Sequence, residues 1–404
     1  MANLHYFSLS QRARMNQTRN TPHPMPMKRI ILALPLLLLW LYTNPALASL
    51  IPSPPSLAAS GYVLMDYHSG QIIAASNAEQ RLEPASLTKL MTAYTVFHEL
   101  RAGHISLEDQ VRVSEKAWRM IGSRMFIEAG TSVSVKELLK GMIIASGNDA
   151  SVALAEHVAG SEDAFVALMN AHARRLGMQK TRFANSTGLP DPDLYTTPVD
   201  MAKLASALIH EFPEFYRWYS ERSYTYNNIR QSNRNLLLFR DDSVDGLKTG
   251  HTSAAGYCLV ASAQRSEMRL ISVIMGTGSE RARAQESEKL LNYGFRFFET
   301  HRLYGANEPL SQMRIWKGAQ QQLPVGLSED LYVTVPRGQY GDLQASMRLD
   351  QTIIAPVEIA QPLGAVEIRL NGELLAERPL IALQGSDKGG LWQQLKDRVL
   401  LMFQ

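Results

Sequence analysis

The sequence predicts an α+β chain: a large domain of antiparallel sheet flanked by helices, a small all-β domain, and a C-terminal amphipathic helix. Three observations carry this. Strand-like pairs near residues 62–75 and 259–275 bracket a long stretch that contains helix-spaced apolar residues. From about Thr300 the pattern changes to short alternating runs broken by Gly, Pro and Asn. At the end of the chain, apolar residues collect on a single helical face.

The elements follow in chain order. Residues 1–48 read as a leader: Lys28-Arg29, an apolar run from Ile30 to Tyr42, then Ala46-Leu47-Ala48, the layout of a secretory signal peptide cleaved after Ala48. The apolar run is short for a spanning helix. Met25 and Met27 are alternative starts within the leader. The leader holds five basic residues and no acid, so the formal charge of +3 for the whole chain becomes −2 for the remainder. The basic balance therefore belongs to the leader and gives no support for a nucleic-acid partner.

Residues 49–299 read as one large domain. Tyr62–Asp66 and Gln71–Ala75 form a hairpin around His68-Ser69-Gly70. After Pro84-Ala85, the residues Leu87, Leu90, Met91, Tyr94 and Phe97 fall at helical spacing, which places Ser86 at a helix N-terminus. Lys89 lies one turn further on the same face. Ser146-Gly147-Asn148 joins the apolar run Leu138–Ala145 to a helix beginning near Ala150. Lys248-Thr249-Gly250 precedes the strand-like Tyr257–Ala261, and a second hairpin, Leu259–Ala263 with Arg269–Met275, leads into a helix through Leu290.

Residues 306–383 read as the all-β domain, with Asn371-Gly372 as a two-residue hairpin turn. Residues 389–404 form the amphipathic helix, with Trp392, Leu395, Val399, Met402 and Phe403 on one face. That face suits either a membrane surface or docking on the β domain. The single cysteine, Cys258, excludes an internal disulfide and sits in an apolar run as a small buried hydrophobe. No metal-ligand spacing or phosphate loop occurs, so no metal and no cofactor is expected. His157 reads as a helix residue.

The chemistry lies in three patterns, S-x-x-K, S-x-N and K-T-G, each occurring once and in that order: Ser86–Lys89, Ser146–Asn148 and Lys248–Gly250. A serine hydroxyl becomes a nucleophile when a neighbouring base takes its proton. Lys89 can act as that base only as a neutral amine, which burial and a second cation favour; Lys248 is the expected second cation. Lys248 and Thr249 would hold an anionic group of the substrate, and Gly250 would let a ligand approach the strand backbone. Ser146 and Asn148 could relay a proton and hydrogen-bond a peptide group.

From about Ser56 to the C-terminus the chain resembles the low-molecular-mass penicillin-binding proteins, D-alanyl-D-alanine carboxypeptidases of the penicillin-binding protein 5 and 6 type. The stretches Glu83–Thr92, Ser146–Ala150, Phe183–Pro190, Val244–Thr252 and Asn292–Thr300 carry the resemblance. It implies a β-lactamase/transpeptidase-like fold for the large domain. It also implies Ser86 as acylated nucleophile, Lys89 as its base, Ser146 and Asn148 in proton transfer and positioning, and Lys248 with Thr249 in substrate binding. The backbone N–H groups of Ser86 and His251 would form the oxyanion hole. Arg234 and Arg283 stand where such proteins carry arginines near the substrate carboxylate. Expected partners are peptidoglycan stem peptides, β-lactams as covalent inhibitors, and a membrane surface met by the C-terminal helix on the periplasmic face of the inner membrane. A β-lactamase would share the three motifs, but no counterpart of the water-activating glutamate is evident. A non-catalytic wall-binding or β-lactam-sensing protein is the other alternative.

Overall fold

A computed structural model describes residues 5–7 and 51–403. Apart from His5–Phe7, the leader and signal peptide expected from sequence lie outside the described residues. The chain divides into two compact units, one spanning 53–300 and the other built mainly from 301 onward.

The first unit is organised on a five-stranded antiparallel sheet. Its strands are β1 (Gly61–Asp66), β2 (Ile72–Ser76), β3 (Val244–Thr252), β4 (Gly256–Arg265) and β5 (Met268–Thr277), in the spatial order β2-β1-β5-β4-β3. The strands β1, β4 and β5 are apolar along most of their length, as strands covered on both faces must be. The K-T-G motif therefore sits on an edge strand, β3, with Lys248 opposite Val260 and Gly250 opposite Cys258.

Helix α1 (Thr88–Arg101) runs through the middle of this unit, and all of Thr88–Phe97 is buried. Its polar residues are buried along with its apolar ones, so no amphipathic stripe separates them. Around it pack α2 (Val135–Ile144), α3 (Asn148–Ala159), α4 (Glu162–Arg175) and α5 (Pro198–Glu211). Helix α6 (Glu280–Phe297) packs against β4 and β5. Several starts are capped as their sequences dictate: Ser134 and Glu137 form a reciprocal capping box on α2, and Ser161, Thr197 and Ser279 accept backbone N–H bonds at α4, α5 and α6. His157 lies on α3, as its sequence context suggests.

The second unit is a sheet of β6 (Ser311–Arg314), β7 (Gln322–Gly326), β8 (Leu343–Leu349), β9 (Pro362–Leu370) and β10 (Glu373–Ala382), ordered β8-β9-β10-β7-β6. His5–Phe7 pairs antiparallel with β8 at one edge. Asn371-Gly372 makes the turn of the β9–β10 hairpin, with both residues at positive φ as a two-residue turn of this kind requires. Helix α7 (Leu391–Leu401) closes the unit. Asp397 is buried and accepts the Lys317 backbone N–H at 2.6 Å, whereas Leu391, Trp392, Met402 and Phe403 stay exposed. The helix thus docks by a polar contact and leaves its apolar face open. Among the described residues no helix is long and apolar enough to cross a membrane.

Candidate active site

Ser86 lies in a 3-10 turn, Ala85–Leu87, that runs directly into α1. Ala85 just before it has φ +47°, a left-handed conformation that strains an L-residue by about 1–2 kcal/mol. The turn is pressed against β3. A Cβ at Gly250 would meet the Pro84 carbonyl at 2.9 Å and the Ala85 Cβ at 3.2 Å. The glycine of K-T-G is therefore needed by the nucleophile's own turn, a packing reason distinct from the ligand approach expected from sequence. Ser86 is half-buried and opens into a cleft of about 420 Å³.

Lys89 is buried below it. Its Nζ stands 3.0 Å from Ser86 Oγ, 2.6 Å from Asn148 Oδ1 and 2.5 Å from the Thr187 carbonyl. A neutral amine has two N–H donors and one lone pair. Two obligate acceptors take the donors, which leaves the lone pair for the Ser86 hydroxyl. Burial first, then the Arg234 charge, lower the Lys89 amine to about 7 against the opposing charge of Asp149. Arg234 is thus a cation acting on Lys89 that sequence did not point to, and the expected Lys248 charge is coupled to the same amine.

Ser146 occupies the bend between α2 and α3 at φ +62°, which turns its hydroxyl towards β3. Lys248 Nζ donates to Ser146 Oγ at 2.8 Å and to the Thr249 carbonyl at 3.0 Å. Burial first, then the nearby Lys89 charge, hold Lys248 well below the usual lysine range. Lys248 and Lys89 lie behind the cleft wall, while the other eight residues singled out from sequence line it: Ser86, Ser146, Asn148, Thr249, Gly250, His251, Arg234 and Arg283. The cations at the surface of the cleft are accordingly the two arginines. Arg283 is buried and donates to the Gly250 carbonyl at 3.2 Å, so its head is fixed; Arg234 is exposed.

The imidazole of His251 stacks on Tyr257 at 3.9 Å. Cys258, opposite Gly250, is fully buried, and burial pushes its thiol up to about 11, which keeps it protonated and inert.

Sequence reasoning assigned no role to Thr187, Gly122, Ser123, Glu280 or Asp149. Thr187 lies in the Asn185-Ser186-Thr187-Gly188 turn, and the side chain of Asn185 accepts three hydrogen bonds there, from Thr187 N, Thr187 Oγ1 and Gly188 N. A run of Asn, Ser, Thr and Gly is a turn signal. Its carbonyl's reach to a lysine 98 positions away carries no sequence signal.

Two family models match the chain: one described as D-alanyl-D-alanine carboxypeptidase, over residues 48–279, and one as penicillin-binding protein 5, C-terminal domain, over residues 298–388. D-alanyl-D-alanine carboxypeptidase DacC of Escherichia coli (strain K12) is 45% identical over 357 residues, covering 86% of this chain and 89% of that protein. DacA of the same organism is 41% identical over 363 residues, covering 88% and 90%. The crystal structure of penicillin binding protein 5 from Haemophilus influenzae matches with a TM-score of 0.81 at 42% identity, covering 83% of this chain and all of that one. Penicillin-binding protein D2 of Listeria monocytogenes, solved in its ampicillin-bound form, matches with a TM-score of 0.56 at 30% identity, covering 60% of this chain and 100% of that one.

Proposed function

This chain belongs to the D-alanyl-D-alanine carboxypeptidase family, and from that premise we propose how its own residues carry out the reaction. It is a serine-type D-Ala-D-Ala carboxypeptidase that removes the terminal D-alanine of peptidoglycan stem pentapeptides through an acyl-enzyme. The observation that carries the assignment of roles is the Lys89 amine: buried, held by two acceptors, and 3.0 Å from Ser86 Oγ.

Lys89 takes the Ser86 hydroxyl proton as Oγ attacks the penultimate carbonyl carbon. The oxyanion is received by the backbone N–H groups of Ser86 and His251. The C–N bond then breaks and the departing D-Ala amine takes a proton delivered from Lys89, with Ser146 as the relay. Water attacks the ester carbon and gives a proton to Lys89, the bond from that carbon to Ser86 Oγ breaks, and Lys89 returns the proton to Oγ as the shortened peptide leaves. Asn148 couples the amine to the substrate's peptide group. Thr249 binds the terminal carboxylate, Arg234 and Arg283 supply the attracting charge, and Lys248 acts through Ser146. β-Lactams acylate Ser86 by the same attack.

The leader's composition supports export to the periplasm. The open apolar face of α7 supports an interfacial hold on the outer face of the inner membrane. The β unit then serves as a spacer between that surface and the wall.

The test uses protein lacking leader and tail with diacetyl-Lys-D-Ala-D-Ala. Free D-Ala should appear, Ser86→Ala should abolish it, and labelled penicillin should form a long-lived adduct on the intact protein alone. No D-Ala release from the intact protein would overturn the reading. Rapid penicillin turnover would replace it with a β-lactamase.

A further inference from the structure

Asp149, the residue that follows the S-x-N motif, is fully buried. Among the described residues its carboxylate has no ion-pair partner. Four backbone N–H groups point at it instead: Met125 at 2.9 Å and Ala150 at 2.9 Å on Oδ1, Phe126 at 2.9 Å and Ile127 at 3.3 Å on Oδ2. Three of those donors belong to a single loop, residues 121–127, whose Gly122 and Ser123 line the cleft. The preceding residue holds the other end of that loop. Asn148 donates Nδ2 to the Ile121 carbonyl at 2.6 Å and its backbone N–H to the Ser123 carbonyl at 2.7 Å.

The loop needs such ties. Phe126 sits at φ +70°, a conformation that a bulky L-residue holds only when its surroundings fix it. Gly147 fits the same arrangement, since a Cβ there would meet Asp149 Oδ1 at 2.8 Å and Met125 N at 3.2 Å. Two consecutive residues at the start of α3 thus grip the cleft rim at five points, and one of them, Asn148, also accepts from the catalytic amine.

We infer that Asp149 is a positioning residue that fixes the 121–127 rim of the cleft and ties its order to the Asn148–Lys89 pair. This rests on the carboxypeptidase reading. The charge environment adds to it. The cations around Lys89 are Arg234 and the neighbouring Lys248, and Asp149 is the anion that offsets them.

The variant Asp149→Asn keeps the size but turns a donor towards N–H groups that need acceptors. Its kcat/KM for the diacetyl peptide should fall by about tenfold or more, the loss expected when buried donors go unpaired. Because the anion beside Lys89 is gone, the acidic limb of the pH profile for penicillin acylation should move to lower pH. A merely structural residue would leave that limb in place. Folded variant protein with both kcat/KM and limb unchanged would overturn the inference. Hydrogen exchange in the unmutated protein gives a second route if the variant does not fold. The Met125 and Phe126 amides should be protected, and exchange at exposed-loop rates would equally overturn it. Penicilloylation of the unmutated protein reports on the carboxypeptidase reading separately, so the two failures are told apart.

Discussion

The two units treat charge in opposite ways. Residues 53–300 bury Asp66, Lys89, Asp149, Asp200, Lys248, Arg283 and Glu286, whereas among the described residues of the second unit Asp397 is the sole buried charged side chain. Backbone strain divides only at the cleft. In the first unit, three left-handed non-glycine residues, Ala85, Phe126 and Ser146, lie at the cleft or its rim, while Asn77, Asn227, Asn228 and Ser266 lie outside the strands, as do Asn307, Lys317, Ala360 and Asn371 in the second unit. Burying an ionised group is strongly unfavourable unless partners are built around it. The first unit therefore carries, at Lys89 and Lys248, buried charges that the proposed reaction explains, beside structural ones such as Asp66 and Asp200, while the second, among the described residues, buries a single charge. Substitutions in the second unit should therefore change stability while leaving the chemistry of the first in place.

The largest expected effect lies at Lys89. Lys89→Met keeps the buried volume but leaves Ser86 without a base, and removing a base that activates a nucleophile lowers kcat/KM by about a thousandfold or more. D-Ala release and penicillin acylation should fall together. The variant relieves the burial of an amine but leaves Asn148 Oδ1 and the Thr187 carbonyl without that donor, so its melting temperature should change little. A variant that keeps its activity would break the contrast between the units at its centre.

In the second unit the sign reverses. Ile368 is fully buried on β9, in a core that includes Val366, Leu323 and Val325. Ile368→Ala should destabilise that unit by about 2–5 kcal/mol through lost burial and the cavity left behind. Calorimetry should show a lowered transition, while penicillin acylation below that transition keeps its rate. Equal loss of acylation would show that the catalytic unit depends on the other for its geometry.

Much of this division is legible in sequence. The strands of the first sheet, the start of α1 and the β9–β10 hairpin follow from alternation, helical spacing and Asn-Gly. The three motifs locate seven of the site residues because their chemistry fixes residue type, whereas His251, Arg234 and Arg283 follow only from the family resemblance. What sequence does not give is the long-range partnering. The hydrogen bond from Lys89 Nζ to the Thr187 carbonyl, the contact between Lys248 and Ser146, and Asp149's grip on residues 125–127 each join segments far apart in the chain. Nor does local pattern mark α4 and α5 as layers around α1, since their apolar faces acquire meaning only from what covers them. Gly250 shows the same limit: its motif is plain, yet the reason for a glycine lies in the turn that packs on it.

The smallest effect tests the one buried charge of the second unit. Asp397 Oδ2 accepts the Lys317 N–H at 2.6 Å and Gln393 Nε2 at 3.1 Å, and Arg314 stands 3.7 Å from Oδ1. Asp397→Ala leaves the Lys317 donor unpaired, at a cost of about 1–3 kcal/mol. That cost falls on the docking of α7, because the core of the β unit does not include Asp397. Proteolysis after Arg398 should quicken in the variant, with the main unfolding transition and D-Ala release unchanged. If the whole β unit melts earlier instead, α7 is an integral layer of that unit. The buried carboxylate would then be a foundation of the second unit, and the contrast in how the two units use charge would narrow.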